Sequence, residues 1–313
     1  MNGLLRFLSR HALLVIFAIL VIVLMIVSPT FRTPQNLINI VEQQSIIGIV
    51  ACGMLLMIML GGFDLSVGAV GAATSVLAAS VMSSAGIVPG VLAALALGAV
   101  VGLCNGLLVA KVGINPFVAT LGMQTLVTGL VFVFTNAQPV YGIPNEFTWF
   151  GLGRIGMIPV AALVFAIVAI LVWLMLKYTT FGHQIYAVGG SIEASRLAGI
   201  RTTRVTTLVY VLGAITAAIG GLILLGQTSI GQPSAATSWP LSAIAAVAIA
   251  GVPLTGGAGR VGPVIIGTLL LGTVANALNQ FGISPYWQPA ITGAVIIIAV
   301  GLDTLQRRRA RTH

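Results

Sequence analysis

Several stretches of roughly 18 to 25 residues in this chain carry no charged side chain. An apolar helix of that length crosses a hydrocarbon core about 30 Å thick. Of the 313 residues, 58% are hydrophobic and only 6% are charged, whereas a soluble domain carries about 25% charged residues. A chain with so few charges could not keep a folded surface in water. The sequence therefore predicts an all-α, polytopic membrane protein.

The apolar segments are divided by charges, prolines and glycine pairs into about ten predicted transmembrane helices. Their approximate limits are 11–28, 37–60, 64–84, 87–110, 114–135, 158–177, 205–226, 240–257, 261–281 and 285–303. We expect these helices to pack as a single domain over residues 1–313, with many of the 38 glycines at helix contacts. The segments flanking Gly256 and Gly257 leave room for a broken helix.

The basic residues predict the orientation in the membrane. With the N-terminus in the cytoplasm, only Arg32 and Arg154 fall outside. The inner side receives Arg6, Arg10, Lys111, Lys177, Arg196, Arg201, Arg204, Arg260, Arg307, Arg308, Arg309 and Arg311. Cytoplasmic loops carry such an excess of Lys and Arg, and an odd number of helices would scatter these charges over both faces. We therefore expect both termini to be cytoplasmic, and the net charge of +9 to reflect topology rather than nucleic-acid binding.

The chain lacks the motifs of an enzyme. A phosphate-binding loop needs G-x-x-x-x-G-K-[ST], and no such lysine follows the glycine pairs at 61–62, 189–190 and 256–257. The acids are scattered, and the histidines lack metal-ligand spacing; these residues are Glu42, Asp64, Glu146, Glu193, Asp303, His11, His183 and His313. Cys52 and Cys104 are expected to be small side chains within apolar helices. We expect no catalysis, no metal and no cofactor bound by this chain.

Two connecting loops are long. The outer loop, about 136–157, is rich in prolines and in aromatic residues suited to a membrane–water interface. The inner loop, about 178–204, contains a segment that predicts a short capped helix. Ser191 can cap its N-terminus, Glu193 lies in the first turn, and Gly199 can take the left-handed conformation that ends it. Such a helix fits a groove on another protein; a helix lying on the bundle or membrane surface fits the pattern equally well.

Several motifs carry a resemblance to a known family. Glu193-Ala194-Ser195 followed by Gly199-Ile200 resembles the "EAA…G" coupling segment of ABC importer permeases. The stretch 61–68, with Gly61, Gly62, Asp64, Leu65, Ser66 and Gly68, resembles the "GG-I-DLSVG" signature of ribose/xylose/arabinose-type permease subunits, with Phe63 in place of Ile. Further matches lie at 117–122, 181–190 and 256–262. The stretch 248–253 departs from the family's usual "V-V-L-G-G".

The resemblance implies a monosaccharide importer in the inner membrane of a bacterium. Two permease subunits, identical or different, would form the pathway, a cytoplasmic ATPase would bind ATP and magnesium, and a soluble binding protein would deliver the sugar. The residues implied to dock into the ATPase are Ser191, Glu193, Ala194, Ser195, Arg196, Leu197, Gly199 and Ile200. The alternative is a secondary transporter driven by an ion gradient, which would need acids facing a cavity; Asp64 is a poor candidate.

Uncharged polar residues within the predicted helices are candidates for the pathway of a sugar. They are Asn105, Gln124, Thr128, Asn276 and Asn279. Each can equally form a hydrogen bond between helices. We expect Asp64 to cap the N-terminus of the third helix, since burial of its charge at mid-membrane would cost a few kcal/mol. The four-residue spacing of Gly98, Gly102 and Gly106 predicts close helix packing.

Overall fold

A computed structural model of the chain describes residues 12–284, 286–294, 296–298 and 301. Part of the predicted helix 285–303 therefore lies outside the described residues. So do several residues named above: Arg6, Arg10, His11, Asp303, Arg307, Arg308, Arg309, Arg311 and His313.

Over the described residues the fold is a bundle of helices. These are α1 (Ala12–Val27), α2 (Pro34–Met59), α3 (Val67–Ala85), α4 (Ile87–Leu107, extended by a π-helical turn Leu108–Val112), α5 (Pro116–Thr135), α6 (Thr148–Leu152), α7 (Val160–Tyr178), α8 (Thr180–Gly190), α9 (Ile192–Leu197), α10 (Thr202–Thr228), α11 (Trp239–Ile249) and α12 (Val261–Gln280). A further apolar helix lies within residues 287–298. Seven of the described helices, α2 to α5, α7, α10 and α12, are long and apolar enough to cross a membrane.

The eighth predicted span, 240–257, is only partly helical. Helix α11 ends at Ile249, and the chain then turns at Gly251, Gly256 and Gly257, whose φ angles are +74°, +88° and +84°. Residues with a Cβ rarely adopt these angles, so the glycines allow the backbone to leave the helix. The segment is therefore a short helix followed by an irregular loop, which agrees with the broken helix that the sequence left open beside Gly256 and Gly257.

Helix α10 lies at the centre of the bundle, and α4 packs along it through the predicted glycine stripe. A Cβ on Gly98 would lie 2.8 Å from the Ala218 Cβ, and a Cβ on Gly106 would lie 2.6 Å from the Thr207 Cα. The same holds for Gly102, whose Cβ would lie 2.7 Å from the Tyr210 carbonyl oxygen. The prediction that this stripe serves close helix packing is confirmed.

The two long connections are more ordered than expected. The outer one holds a 3₁₀ turn (Asn145–Phe147), helix α6, and an antiparallel pair of two-residue strands, β1 (Arg154–Ile155) and β2 (Ile158–Pro159). Phe147 is buried against the bundle rather than lying at an interface. The inner connection contains the predicted helix α9, but also α8, which the sequence reading left as loop. Thr179 caps α8, because its Oγ1 accepts a hydrogen bond from the Gly182 N–H at 3.0 Å.

Candidate functional site

The helix α9 has the caps that its sequence predicts. The Ser191 Oγ accepts a hydrogen bond from the Ala194 N–H at 3.2 Å. At the other end Gly199 has φ +81°, and the next N–H, of Ile200, donates to the Ser195 carbonyl oxygen at 2.9 Å. These bonds satisfy backbone groups that a helix of six residues would otherwise leave without partners. Hydrogen bonds between near neighbours in the sequence thus cap both ends of this short helix.

The orientation of α9 divides its side chains into an inner and an outer set. Ser195 is buried, and the Arg196 Nε donates to the Thr202 Oγ1 at 3.3 Å, which ties the helix to the start of α10. Ile192 is 52% exposed and Leu197 is 87% exposed. Both lie outside the long apolar helices that could cross a membrane. An exposed leucine on a rigid helix is suited to filling a groove on a partner.

A cavity of about 390 Å³ separates α9 from the neighbouring loops. Its walls include Ile192 and Arg196 of α9, Gly61 and Gly62 of the signature loop, and Tyr210 of α10. The turn between α4 and α5 closes the remaining side. The signature loop and the predicted coupling helix, which are about 130 residues apart in sequence, therefore face the same space.

Asp64 lies at the centre of a buried polar cluster. Its Oδ1 accepts hydrogen bonds from the Ser66 N–H at 2.7 Å and from the Ser66 hydroxyl at 2.6 Å. The Asn105 Nδ2 donates to the Asp64 Oδ2 at 3.2 Å and to the Ser66 Oγ at 2.9 Å. All three residues are fully buried. Ser66, not Asp64, occupies the N-cap position of α3, so the prediction that Asp64 caps this helix is wrong. The Asp64 carboxylate instead accepts hydrogen bonds from Ser66 and from Asn105 of α4.

The remaining signature residues shape the loop around this cluster. Gly61 has φ +76°, and Gly62 lies beside the Tyr210 hydroxyl, which donates to the Phe63 carbonyl oxygen at 3.4 Å. Gly68 lies against the backbone of Ala236, where a Cβ would overlap the carbonyl oxygen. Leu65 is half-buried. The signature thus folds as a compact turn that joins α2 to α3.

The predicted pathway residues fall into separate places. Asn276 and Asn36 exchange amide hydrogen bonds of 2.9 and 3.2 Å, and the Gln280 Nε2 also donates to the Asn276 Oδ1 at 3.2 Å. Asn279 is exposed near the same end of α12. Gln124 and Thr128 are half-buried on α5, and Asn105 belongs to the cluster around Asp64.

A cavity of about 190 Å³, which we call the polar cavity after the amides and hydroxyls on one part of its wall, lies beside the start of α11; the rest of its wall is apolar. Its polar lining consists of Gln44, Ser238, Trp239, Ser242, Gln288 and Thr292. No charged residue is among the described residues that line it. The sequence reading missed this site. Its lining comes from α2, α11, α12 and the helix within residues 287–298, so no local pattern in the sequence could have indicated it.

Comparisons with known proteins give consistent results. A family described as "Branched-chain amino acid transport system / permease component" matches residues 36–300. The ribose import permease protein RbsC of Escherichia coli K12 is 40% identical over 295 residues, which cover 93% of this chain and 92% of that protein. RbsC of Bacillus subtilis 168 is 40% identical over 91% of this chain and 89% of its own. The L-arabinose transport system permease protein AraH of Escherichia coli K12 is 37% identical over 98% and 94%. No solved structure matches the chain.

Proposed function

The chain belongs to the family of transport-system permease components that matches residues 36–300, and we therefore propose that it is the transmembrane subunit of an ATP-driven importer of a monosaccharide. The family description mentions branched-chain amino acids, but the relatives at 37 to 40% identity over nearly the whole chain are named for ribose and L-arabinose. A pentose, a hexose or a related small polar solute is therefore the favoured cargo. The bacterial relatives favour the inner membrane of a bacterium.

The observation that carries the proposal is the capped helix α9, which presents Leu197 to solvent. We propose that α9 is the coupling helix and docks in a groove of the ATPase. Leu197 and Ile192 would supply the apolar contact, with Glu193 and Arg196 as flanking charges. Ser191, Ser195, Gly199 and Ile200 act within the chain by holding the helix in shape, and Ala194 keeps its surface small. ATP and magnesium would bind to the ATPase alone, so this subunit is a transporter part rather than an enzyme.

The described helices also support ten membrane segments in a single domain over residues 1–313. Seven long and three shorter apolar helices, the latter being Ala12–Val27, Trp239–Ile249 and Trp287–Ile298, make ten. Lys111 and Lys177 lie at the ends of α4 and α7, and both ends face the connections around α9. With α9 in the cytoplasm, both chain termini are proposed to be cytoplasmic, as the positive-inside rule expects.

We propose that the sugar passes through a pathway completed by a second permease copy. Polar groups at membrane depth are costly unless they have partners or face water, and the cavity beside α11 offers amides and hydroxyls without a fixed charge. Such a lining suits a neutral solute rich in hydroxyl groups. We include Gln44 and Ser242 with the earlier candidates Asn105, Gln124, Thr128, Asn276 and Asn279. On the outer side, a soluble binding protein would dock on the connection that contains α6.

Reconstitution tests the proposal against the alternative of a secondary transporter. Proteoliposomes would contain this chain alone, or this chain with its ATPase, with the binding protein added outside and ATP inside. Uptake of labelled ribose, arabinose and galactose would be measured. Accumulation of one sugar against its gradient is expected only with both partners and ATP, and not with a non-hydrolysable ATP analogue. Accumulation by the chain alone, driven by a proton or sodium gradient, would contradict the proposal and favour the secondary transporter.

A further inference from the structure

Backbones from three distant parts of the chain meet directly at the end of α2. The Gly257 N–H donates to the Met59 carbonyl oxygen at 2.9 Å. A Cβ on Gly189 would overlap that same oxygen and lie 2.9 Å from the Gly257 nitrogen. A Cβ on Gly256 would lie 2.7 Å from the Gly61 nitrogen and 3.2 Å from the Gly189 carbonyl oxygen. We call these five residues the glycine junction.

The junction is attached to α9 without a flexible linker. Gly189 lies in the last turn of α8, and Ser191, two residues later, is at once the residue that ends α8 and the N-cap of α9. A second contact runs parallel to the junction, because the Tyr186 hydroxyl of α8 donates to the Gly259 carbonyl oxygen at 2.8 Å. A displacement of α9 would therefore also displace the end of α2 and the loop between α11 and α12, because α8 contacts both.

The loop on the far side of the junction leads to the polar cavity. It joins α11 and α12, and the opposite end of α11 begins at Ser238 and Trp239, which line that cavity. The 11 residues of α11 form a rod about 16 Å long. Because packed helices move as rigid bodies, a displacement of the loop would also displace the residues of α11 that line the cavity.

We infer that the glycine junction and the Tyr186–Gly259 bond transmit the movement of α9 to α11 and to the end of α2, which makes Gly189 and Tyr186 positioning residues for transport. This inference rests on the proposed role of α9 as the coupling helix. Direct backbone contact suits such a role, since it leaves no side chain whose rotamers could absorb the displacement.

The Tyr186 bond is available over the neutral pH range. Partial burial raises the pKa of Tyr186 above its ordinary value, and the nearby Arg260 offsets this only in part. The folded-state pKa is raised, so the hydroxyl keeps its proton, and therefore its donor role, until the pH exceeds the value of an ordinary tyrosine, about 10. Coupling through this bond should not change between pH 6 and pH 8.

The test compares two adjacent glycines. Gly189→Ala places a methyl group against backbone atoms, whereas a Cβ on Gly190 meets nothing within 4 Å. Overpacking costs about 1–3 kcal/mol, or about 5- to 150-fold in an equilibrium. We expect Gly189→Ala to co-purify with the ATPase and to hydrolyse ATP, but to move at least about fivefold fewer sugars per ATP. Gly190→Ala should match the wild-type ratio.

A second variant removes one hydroxyl without adding bulk. Tyr186→Phe removes a hydrogen bond worth about 1 kcal/mol, so the sugar-to-ATP ratio should fall about fivefold while the thermal midpoint stays nearly unchanged. The inference is overturned if Gly189→Ala keeps the wild-type ratio, if both glycine variants lose it equally, or if Gly189→Ala loses ATPase binding together with transport. If α9 does not bind the ATPase, Leu197 variants will bind the ATPase with normal affinity. That result would contradict the proposed role of α9 and is distinguishable from a failure of the glycine junction.

Discussion

The exposed leucine of the proposed coupling helix α9 offers the sharpest test of the proposed ATPase contact. Leu197 is 87% exposed in this subunit, so nearly all of its side chain remains available for burial in a partner. Burial of a leucine side chain contributes about 1.5–3 kcal/mol. Since 1.4 kcal/mol corresponds to a factor of ten in affinity, Leu197→Ala should weaken binding to the ATPase about 10- to 100-fold.

The same substitution should hardly change the stability of the subunit. The Leu197 side chain makes few contacts within the free subunit, and surface substitutions usually change the free energy of unfolding by less than about 0.5 kcal/mol. The affinity would be measured by titrating labelled ATPase onto the permease in nanodiscs, and the stability by thermal unfolding in the same lipid. Leu152→Ala is a matched control, because Leu152 is 53% exposed on the short helix α6 in the outer connection.

The result would separate two interpretations of α9. If the helix merely lies on the bundle or on the membrane, Leu197→Ala should leave the dissociation constant within about twofold of the wild type. That outcome, or an equal loss of affinity in Leu152→Ala, would refute the assignment of α9 as the docking element.

Two further predictions concern packing and the pathway. Gly102→Ala should destabilise the protein by about 1–3 kcal/mol, because its Cβ would lie 2.7 Å from the Tyr210 carbonyl oxygen. The control Gly129→Ala, whose Cβ meets nothing within 4 Å, should change the free energy of unfolding by less than about 1 kcal/mol. Thermal unfolding in detergent measures both. Gln44→Leu keeps the side-chain volume but removes the amide from the polar cavity, so sugar uptake should fall about five- to tenfold with ATPase binding unchanged. Undiminished uptake would remove Gln44 from the pathway.

The sequence alone determined the features that depend on neighbouring residues. Runs of uncharged residues predicted the seven long helices, because crossing a hydrocarbon core requires a continuous apolar helix. The caps of α9 were predicted from Ser191 and Gly199, since capping bonds join residues only three to five positions apart. The close packing at Gly102 followed from the four-residue spacing of the glycines, which places them on one face of a helix.

Only the tertiary structure decided which of these elements touch. The contact of Asp64 with Asn105, the meeting of Gly189 with Met59, and the cavity that Gln44 shares with Ser242 join segments between about 40 and 200 residues apart. Hydropathy and spacing describe each helix by itself and contain no term for its neighbours. The sequence left a broken helix open beside Gly256 and Gly257, but only the tertiary structure shows that the helix ends at Ile249 and that these two glycines contact the end of α2.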